Sequence, residues 1–541
     1  MKNCKPLMLM SILPLLLASC GQDEGIIIWH NFGGSYTQVF NDVVDVIKED
    51  MGVNMTPKSK KSYDGVLDEI NKSIATSSYP DIATGYPDHF AGYIKDDIML
   101  ELTPYFEMYN EKYGVDLEAD FYPQYMRENK ELREGKIYGI PFNKSTEVMV
   151  YNTDLFKFIQ SVDPTVVKVP ETWDEFAVEG PKYIQVLKDA EVFKVEDASG
   201  ATIRTGKGLA VKYNENGPAE YKKYEKGEKG LFNIDEGFQI IADFSDCKEN
   251  NFNVLMWDSQ DNLFITAMRQ WGSSYTGLTK AEEQSRGKKG HLEFWNTVNP
   301  DYAQYKEHTK AALRDLYNLY DIEDYESHVF NVTTNLFNSD AFKNGTVLFN
   351  VGSSGGLSNN LPKGVKDVKM STPLFDVGIV AVPYKYADKK FVISQGANLG
   401  VFDHQRSVED NFTCFEIAAK LATGDYQGYF AATTGYFPAS KSATASEPYQ
   451  EYLISEKTGE KLLYLRANIL NEQTYMVEEL GWDKFVDKAF VGSSNIRTGV
   501  KEIILKLFNR KADIHAGKIT LDAAIEKVLN DAVAQLADYN K

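Results

Sequence analysis

Cysteine is nearly absent from this 541-residue chain, which has four: Cys4, Cys20, Cys247 and Cys414. Far apart and without a Cys-x-x-Cys pair, they exclude a disulfide framework and a cysteine metal site. Cys247 and Cys414 read as packed, unpaired thiols. Histidine is scarce too, seven residues with no His-Glu-x-x-His or His-x-His spacing, so the sequence signature of a zinc centre is missing and no cofactor is expected. Positive charge falls short of negative, 58 Lys and Arg against 78 Asp and Glu, for a net charge of −20. Such a chain is poorly suited to a phosphate backbone, so nucleic acid is excluded as a partner. Any bound anion must be met by its own local cation or by converging backbone N–H groups. Beyond Leu17, no apolar run approaches the ~20 residues of a membrane-spanning helix.

What is present begins at the N-terminus. Lys2 and Lys5 precede an apolar run from Leu7 to Leu17, and Leu17-Ala18-Ser19-Cys20 closes it. A charged start, a short apolar stretch and small residues at its end describe a signal peptide over residues 1–19. The last four residues resemble the lipobox of bacterial lipoproteins, which implies an acyl anchor (palmitate) on Cys20 and a lipidated linker over residues 20–25. About 520 residues remain after cleavage, enough for several domains. With 32 Tyr and 30 Phe, they can fill a large core.

Ile26–His30 reads as a buried strand, Val39–Asp50 as a helix and Val53–Thr56 as a strand. Tyr63–Ala75 reads as a helix and Pro80–Thr84 as a strand ending at Gly85. This alternation predicts a parallel α/β layer. Strands follow at Gly135–Phe142 and again at Glu147–Asn152. The charged, Gly- and Tyr-rich stretch 188–229 has no sustained period and reads as an insertion of hairpins or loops. Helical pattern returns at Leu263–Arg269 and Tyr305–Tyr320. Val347–Val351 is a strand broken sharply by Gly352–Gly356. Strands are expected at Val377–Pro383 and Val392–Val401, and helices from Phe412 onward.

Several ordered strings carry a resemblance. They are Tyr79-Pro80-Asp81-Ile82, Gly139–Thr146 running into Val150–Phe156, Pro170–Phe176, and Phe342–Val347. Together they resemble the extracellular solute-binding proteins of carbohydrate ABC importers, the maltose-binding-protein-like group. The Pro141–Thr146, Thr434–Pro438 and Ile496-Arg497 strings are most similar to the glycerol-3-phosphate-binding branch. The resemblance implies an α/β, two-lobed periplasmic-binding-protein fold with a crossover-strand hinge that closes over solute. Lobe 1 is then expected over 25–143 and 350–400, and lobe 2 over 144–349 and 401–541. The expected function is capture of a small polar solute, with glycerol 3-phosphate or a glycerophosphodiester ahead of an oligosaccharide or other sugar. The receptor would hand it, unchanged, to ABC permease subunits. It is expected to be a monomer at the cell surface or in the periplasm, tied to the membrane through Cys20.

A polyol phosphate asks a cleft for a guanidinium or clustered N–H donors, hydroxyls that donate and accept, and rings over its C–H faces. Arg497 matches the family's ligand arginine; on residues alone it reads as a surface salt bridge. Ser145, beside Thr146 at the expected lobe crossover, otherwise reads as a turn former. Ser353, Ser354 and Gly355 lie in a glycine run whose N–H groups can form an anion nest, although such runs usually only turn the chain. Tyr63 and Tyr436 stand at family tyrosine positions. Asp88 stands where the branch carries a glutamate, a departure that bears on the small-polyol reading. Trp271, with Tyr275, offers an aromatic wall, and Trp29, His30 and Phe32 end the first strand, where α/β clefts gather ligand. For these aromatic residues a packed core is the plain alternative. The rival function is a surface hydrolase using two carboxylates, a pair that so acidic a sequence can hide anywhere.

Overall fold

The computed structural model describes residues 25–133, 135–187, 191–196, 199–212, 230–233, 238–243, 252–278, 290–295, 300–322, 327–332, 338–362, 375–455, 464, 467 and 480–536. The signal segment, Cys20 and Cys247 lie outside these residues, as does the 213–229 part of the expected insertion.

The first lobe is built on β1 (Ile26–His30), β2 (Met55–Ser59) and β3 (Ile82–Gly85), all parallel. The apolar run of β1 places Ile28 in the core. The intervening helix Ser35–Met51 buries Phe40, Val43, Val44 and Ile47 along one face and stops at Gly52, which takes the left-handed conformation. The next helix, Tyr63–Ser73, starts at Ser62, whose hydroxyl accepts the Gly65 N–H; this is the N-cap expected of serine.

The fold turns on two long strands. β4 (Ile140–Asn152) is a single 13-residue strand, where two short strands separated by a polar break were expected. Asn143-Lys144-Ser145-Thr146 remains extended because three of its side chains have buried partners. Asn143 donates to the Tyr63 hydroxyl, and Thr146 donates to the Ile393 carbonyl. The Lys144 ammonium meets Glu128, the Asn398 amide oxygen and the Gly396 carbonyl. Burial without such partners would cost several kcal/mol per group (~2–7).

A small four-stranded sheet is formed by β5 (Glu191–Glu196), β6 (Thr202–Lys212), β7 (Gly230–Asn233) and β8 (Phe238–Asp243). The β5–β6 pair is the antiparallel hairpin expected of the insertion, and the sheet extends past its expected end. β9 (Asn253–Trp257), the short pair β10 (Thr276–Gly277) and β11 (His291–Leu292), and β12 (His328–Val332) follow. β13 (Val347–Ser353), β14 (Val377–Val380), β15 (Phe391–Val401) and β16 (Asp483–Phe485) complete the set.

The large sheet has the order β12-β9-β13-β4-β15-β3-β1-β2. β4 and β15 pair with each other at its centre and serve both lobes. The Asn398–Val401 end of β15 pairs with β3, and its Phe391–Ile393 end pairs with β16. The Glu147–Asn152 end of β4 pairs with β13 and β14. The lobe boundaries therefore differ from those expected. β13 and β14, inside the 350–400 stretch assigned to lobe 1, belong to the second lobe's half of the sheet. The helix Val408–Leu421, assigned to lobe 2, puts Phe415, Ile417 and Ala418 into the same core as Phe40 and Ile140. A chain that crosses in mid-strand changes lobe without any break in its sequence pattern. The second lobe's separate core gathers Trp173, Trp257, Phe264, Leu316 and Phe349.

At the crossover the β4–β15 register shifts between Gly396 and Asn398. Gly396 has φ +104°, and a Cβ there would lie 1.9 Å from the Asn143 carbonyl oxygen. Only glycine fits. Gly396→Ala should lower unfolding free energy by about 2 kcal/mol or more, read as a reduced urea midpoint with unchanged slope. Lys144→Met, which strands the buried Glu128 carboxylate, should cost about 3–5 kcal/mol in the same experiment, and less when Glu128→Gln accompanies it.

Candidate functional site

The crossover forms the floor of a cleft of about 460 Å³, with Ser394, Gln395 and Gly396 along its base. The first-lobe wall begins where β3 ends. Tyr86 caps the helix Pro87–Lys95, Pro87 occupies its first turn, and Asp88 follows. Proline needs no N–H there, and an acid beside a helix N-terminus is electrostatically favoured. The Tyr86 ring packs against Tyr63, centroids 4.3 Å apart. The Tyr63 hydroxyl in turn accepts from Asn143 on β4. Burial pushes both phenols up, well clear of ionisation.

The second-lobe wall comes from the helices Gln260–Gln270 and Ser493–Val500. The latter starts from Gly492 in the left-handed conformation and presents Ser493, Ser494, Arg497 and Thr498 to the cleft. The Arg497 Nε donates to Asp261 Oδ2 at 2.5 Å, and a terminal nitrogen donates to the Asn262 amide oxygen. Burial pushes the Asp261 carboxyl up, but the Arg497 charge and its hydrogen bond outweigh this and hold it below the usual carboxylate range. Tyr275, buried, closes this side; among the described residues its hydroxyl has no partner. The charges of Arg497, Asp487, Asp261 and Asp88 all act on that hydroxyl, so they converge on one space.

The cleft is not a cationic pocket. Asp64, Asp88, Glu128, Asp261 and Asp487 line it, against Lys488, Arg497 and Lys501. Glu128 is spent on Lys144, Asp487 on Arg269 and Asp261 on Arg497. The guanidinium best placed for an incoming anion is thus already neutralised.

A second, inner chamber of about 300 Å³ shares Ser259, Asp261, Gln395 and Lys501 with the cleft. Glu147, Asp258, Ser353 and Asn360 are among its walls. The Glu147 Oε1 accepts from the Trp257 indole at 3.0 Å and from the Asn262 amide at 2.9 Å.

Of the residues singled out from sequence, Asp88, Tyr275, Arg497 and Ser353 line these spaces. Tyr63 stands behind Tyr86. Tyr436 lies in the layer beneath, its ring stacked on Phe430 and near Phe32. Ser145 is buried in the crossover. Ser354 is fully buried and its hydroxyl accepts the Thr146 N–H at 3.2 Å, while the Gly355 carbonyl accepts from the Tyr36 hydroxyl. These two hold the glycine run against β4 and the Ser35–Met51 helix, so the expected anion nest is a packed turn. Trp271 is corrected outright: it is a core residue of the second lobe, tilted against Trp173, with its indole donating to Asp315. His30 and Phe32 are likewise core, and burial pushes the His30 imidazole down to about 4. Gly352-Ser353-Ser354-Gly355-Gly356 also satisfies the Gly-x-Ser-x-Gly spacing of a nucleophile elbow. Ser354, the serine in question, is buried and occupied by Thr146. The sequence reading missed Tyr86, Asp261 and Glu147. A tyrosine just before a helix-opening proline at a strand's end was the one legible signal among them.

The profile described as bacterial extracellular solute-binding protein matches residues 42–455, and the chain belongs to that family. An arabinooligosaccharide-binding protein of Bacillus subtilis (strain 168) is 29% identical over 196 residues, 33% of this chain and 41% of that protein. The chain thus spans less than half the length of this relative. UgpB from Mycobacterium tuberculosis, in complex with glycerophosphocholine, superposes with a TM-score of 0.60 at 15% identity, covering 95% of this chain and 99% of that one. The maltose/maltodextrin-binding domain MalE from Bdellovibrio bacteriovorus, bound to maltotriose, gives 0.54 at 14% identity, with 95% and 99% covered. At such identities the likeness is one of fold, and the two-lobed architecture expected from sequence is the one observed. No helix among the described residues is long and apolar enough to cross a membrane.

Arg497→Ala should leave Asp261 without its cation and lower stability by about 2 kcal/mol at pH 7. Because the pair depresses the Asp261 pKa, its stabilisation is present above the unfolded value of ~3.9. It is lost as pH falls through the lower folded value. Urea unfolding of wild type and variant should therefore differ at pH 7 and converge towards pH 2.

Proposed function

We propose that this protein is the solute receptor of a carbohydrate ABC importer and that its cleft holds a neutral oligosaccharide. The observation that carries this reading is the Arg497–Asp261 pair in a cleft flanked by Tyr86 and Tyr275. A phosphate entering here must compete with Asp261 for the guanidinium and approach Asp88 as well, whereas sugar hydroxyls can donate to those carboxylates. The tyrosine rings suit the C–H faces of a pyranose. The names of the arabinooligosaccharide-binding relative and of the maltotriose-bound neighbour accord with it. The receptor is a monomer anchored through acylated Cys20 at the cell surface or in the periplasm, and it delivers its ligand to permease subunits without turnover.

The second reading is glycerol 3-phosphate or a glycerophosphodiester. Arg497 favours it, as does the likeness to a glycerophosphocholine-bound structure. Calorimetry separates the two. Malto- and arabinooligosaccharides should bind saturably and be recovered intact, and Tyr86→Ala should weaken them ~10-fold, about 1.4 kcal/mol. Glycerol 3-phosphate and glycerophosphocholine should give no heat. Phosphoester binding that Arg497→Ala abolishes would reverse the assignment, and hydrolysed sugar would replace it with an enzyme.

A further inference from the structure

The inner chamber has a chemistry of its own. Among the described residues its walls carry three carboxylates, Glu147, Asp258 and Asp261, and one cationic side chain, Lys501, exposed at the rim. Asp261 is committed to Arg497. Among the described residues no cation pairs with the other two. Asp258 accepts the backbone N–H of Asn338. Glu147 is 1% exposed; its Oε1 takes two N–H donors, and among the described residues its Oε2 has no partner.

We propose that this chamber binds the ammonium group of an amino sugar, the remainder of the saccharide lying in the outer cleft between Tyr86 and Tyr275. The proposal rests on the carbohydrate reading above and adds a charge requirement to it. A buried carboxylate oxygen without a donor is costly, and a charged N–H donor relieves that cost more than a hydroxyl does. Burial pushes the Glu147 carboxyl up to about 8 and that of Asp258 up to about 6. Among the described residues no aromatic ring lines the chamber. A quaternary ammonium, which seeks ring faces, is therefore poorly served, whereas an –NH₃⁺ finds carboxylate oxygens and amides such as Asn359 and Asn360. Ser259, Asp261, Gln395 and Lys501 border both spaces, so one ligand can reach from the aromatic walls to the acids.

The test compares two isosteric trisaccharides on the full secreted chain by calorimetry: cellotriose, and the trimer of glucosamine in which –NH₃⁺ replaces one hydroxyl per ring. At pH 6 the glucosamine trimer should bind on the order of 10- to 100-fold tighter, the range of a hydrogen bond to a charged group. Glu147→Gln, which keeps the acceptor for Trp257 and Asn262, should erase that preference. Asp258→Asn, a second variant should the first misfold, should reduce the preference. In wild type, binding should release protons as the ammonium ionises Glu147, so affinity should rise from pH 5 to pH 7. Asp258, which burial holds at about 6, titrates in the same window and adds to the proton release, whereas Asp261 and Arg497, the other charges acting on the Glu147 carboxyl, are paired with each other in both ligand states. Equal affinity for the two trimers, or a preference that survives both substitutions, overturns the proposal and leaves the carbohydrate reading standing if the malto- and arabinooligosaccharides still bind. Absence of binding by every saccharide overturns both.

Discussion

Everything in this molecule depends on carrying two polar strands through its middle. β4 and β15 cross between lobes side by side, and the Lys144 ammonium lies fully buried between them. Its partners are Glu128, Asn398 and the Gly396 carbonyl. Burial pushes the Lys144 pKa down while the Glu128 charge pulls it back. Remove either charge and the other is stranded in the interior, which is why such pairs are costly to break even where they add little net stability. Asn129, which donates to Asn398, ties the helix Pro123–Lys130 to the same network. The crossover is thereby stiffened beneath the cleft floor, and the bulge at Gly396 turns the chain directly above it.

The same economy of charge shapes the cleft. A chain with a net charge of −20 places its few cations where a carboxylate already waits, as with Arg497 on Asp261 and Arg269 on Asp487. What remains for a ligand is an excess of acceptors, hydroxyls on the Ser493–Val500 helix, and tyrosine rings on both walls. That composition suits a solute rich in O–H or N–H donors and disfavours an anion. Ser354, the one serine named above with a formal catalytic spacing, is engaged in holding a turn.

The parts of the fold legible in the sequence are those governed by apolar periodicity. Ile26–His30 announces a strand through its β-branched start, and Val347–Val351 through a short apolar run ended by glycine. The Ser35–Met51 and Tyr302–Tyr320 helices show their buried stripe at helical spacing. Lys144 was illegible for the opposite reason: a polar run in a strand is stable only through partners such as Glu128 and Asn398, 16 and 254 positions away. The lobe boundaries failed with it, because a strand shared by two lobes has no end to detect. At the site, Asp88 and Arg497 were found by their place in family strings. Glu147 was lost among 78 acids, since nothing local distinguishes a carboxyl that packs under Trp257 from one facing water. Trp271 was misplaced because Trp-Gly-Ser-Ser reads as a loop, whereas the indole sits at a helix end with Asp315 waiting for its N–H.

The central claim is that one polar ligand lies across the crossover, touched by both lobes at once. A crystal structure of the protein grown with the tightest-binding member of a neutral malto- or arabinooligosaccharide series tests it most directly. The account expects saccharide density over Ser394–Gly396, bounded by Tyr86 on one side and by Tyr275 and Arg497 on the other. Density confined to the outer face of a single lobe, or a cleft left empty while sugar is bound elsewhere, would contradict it.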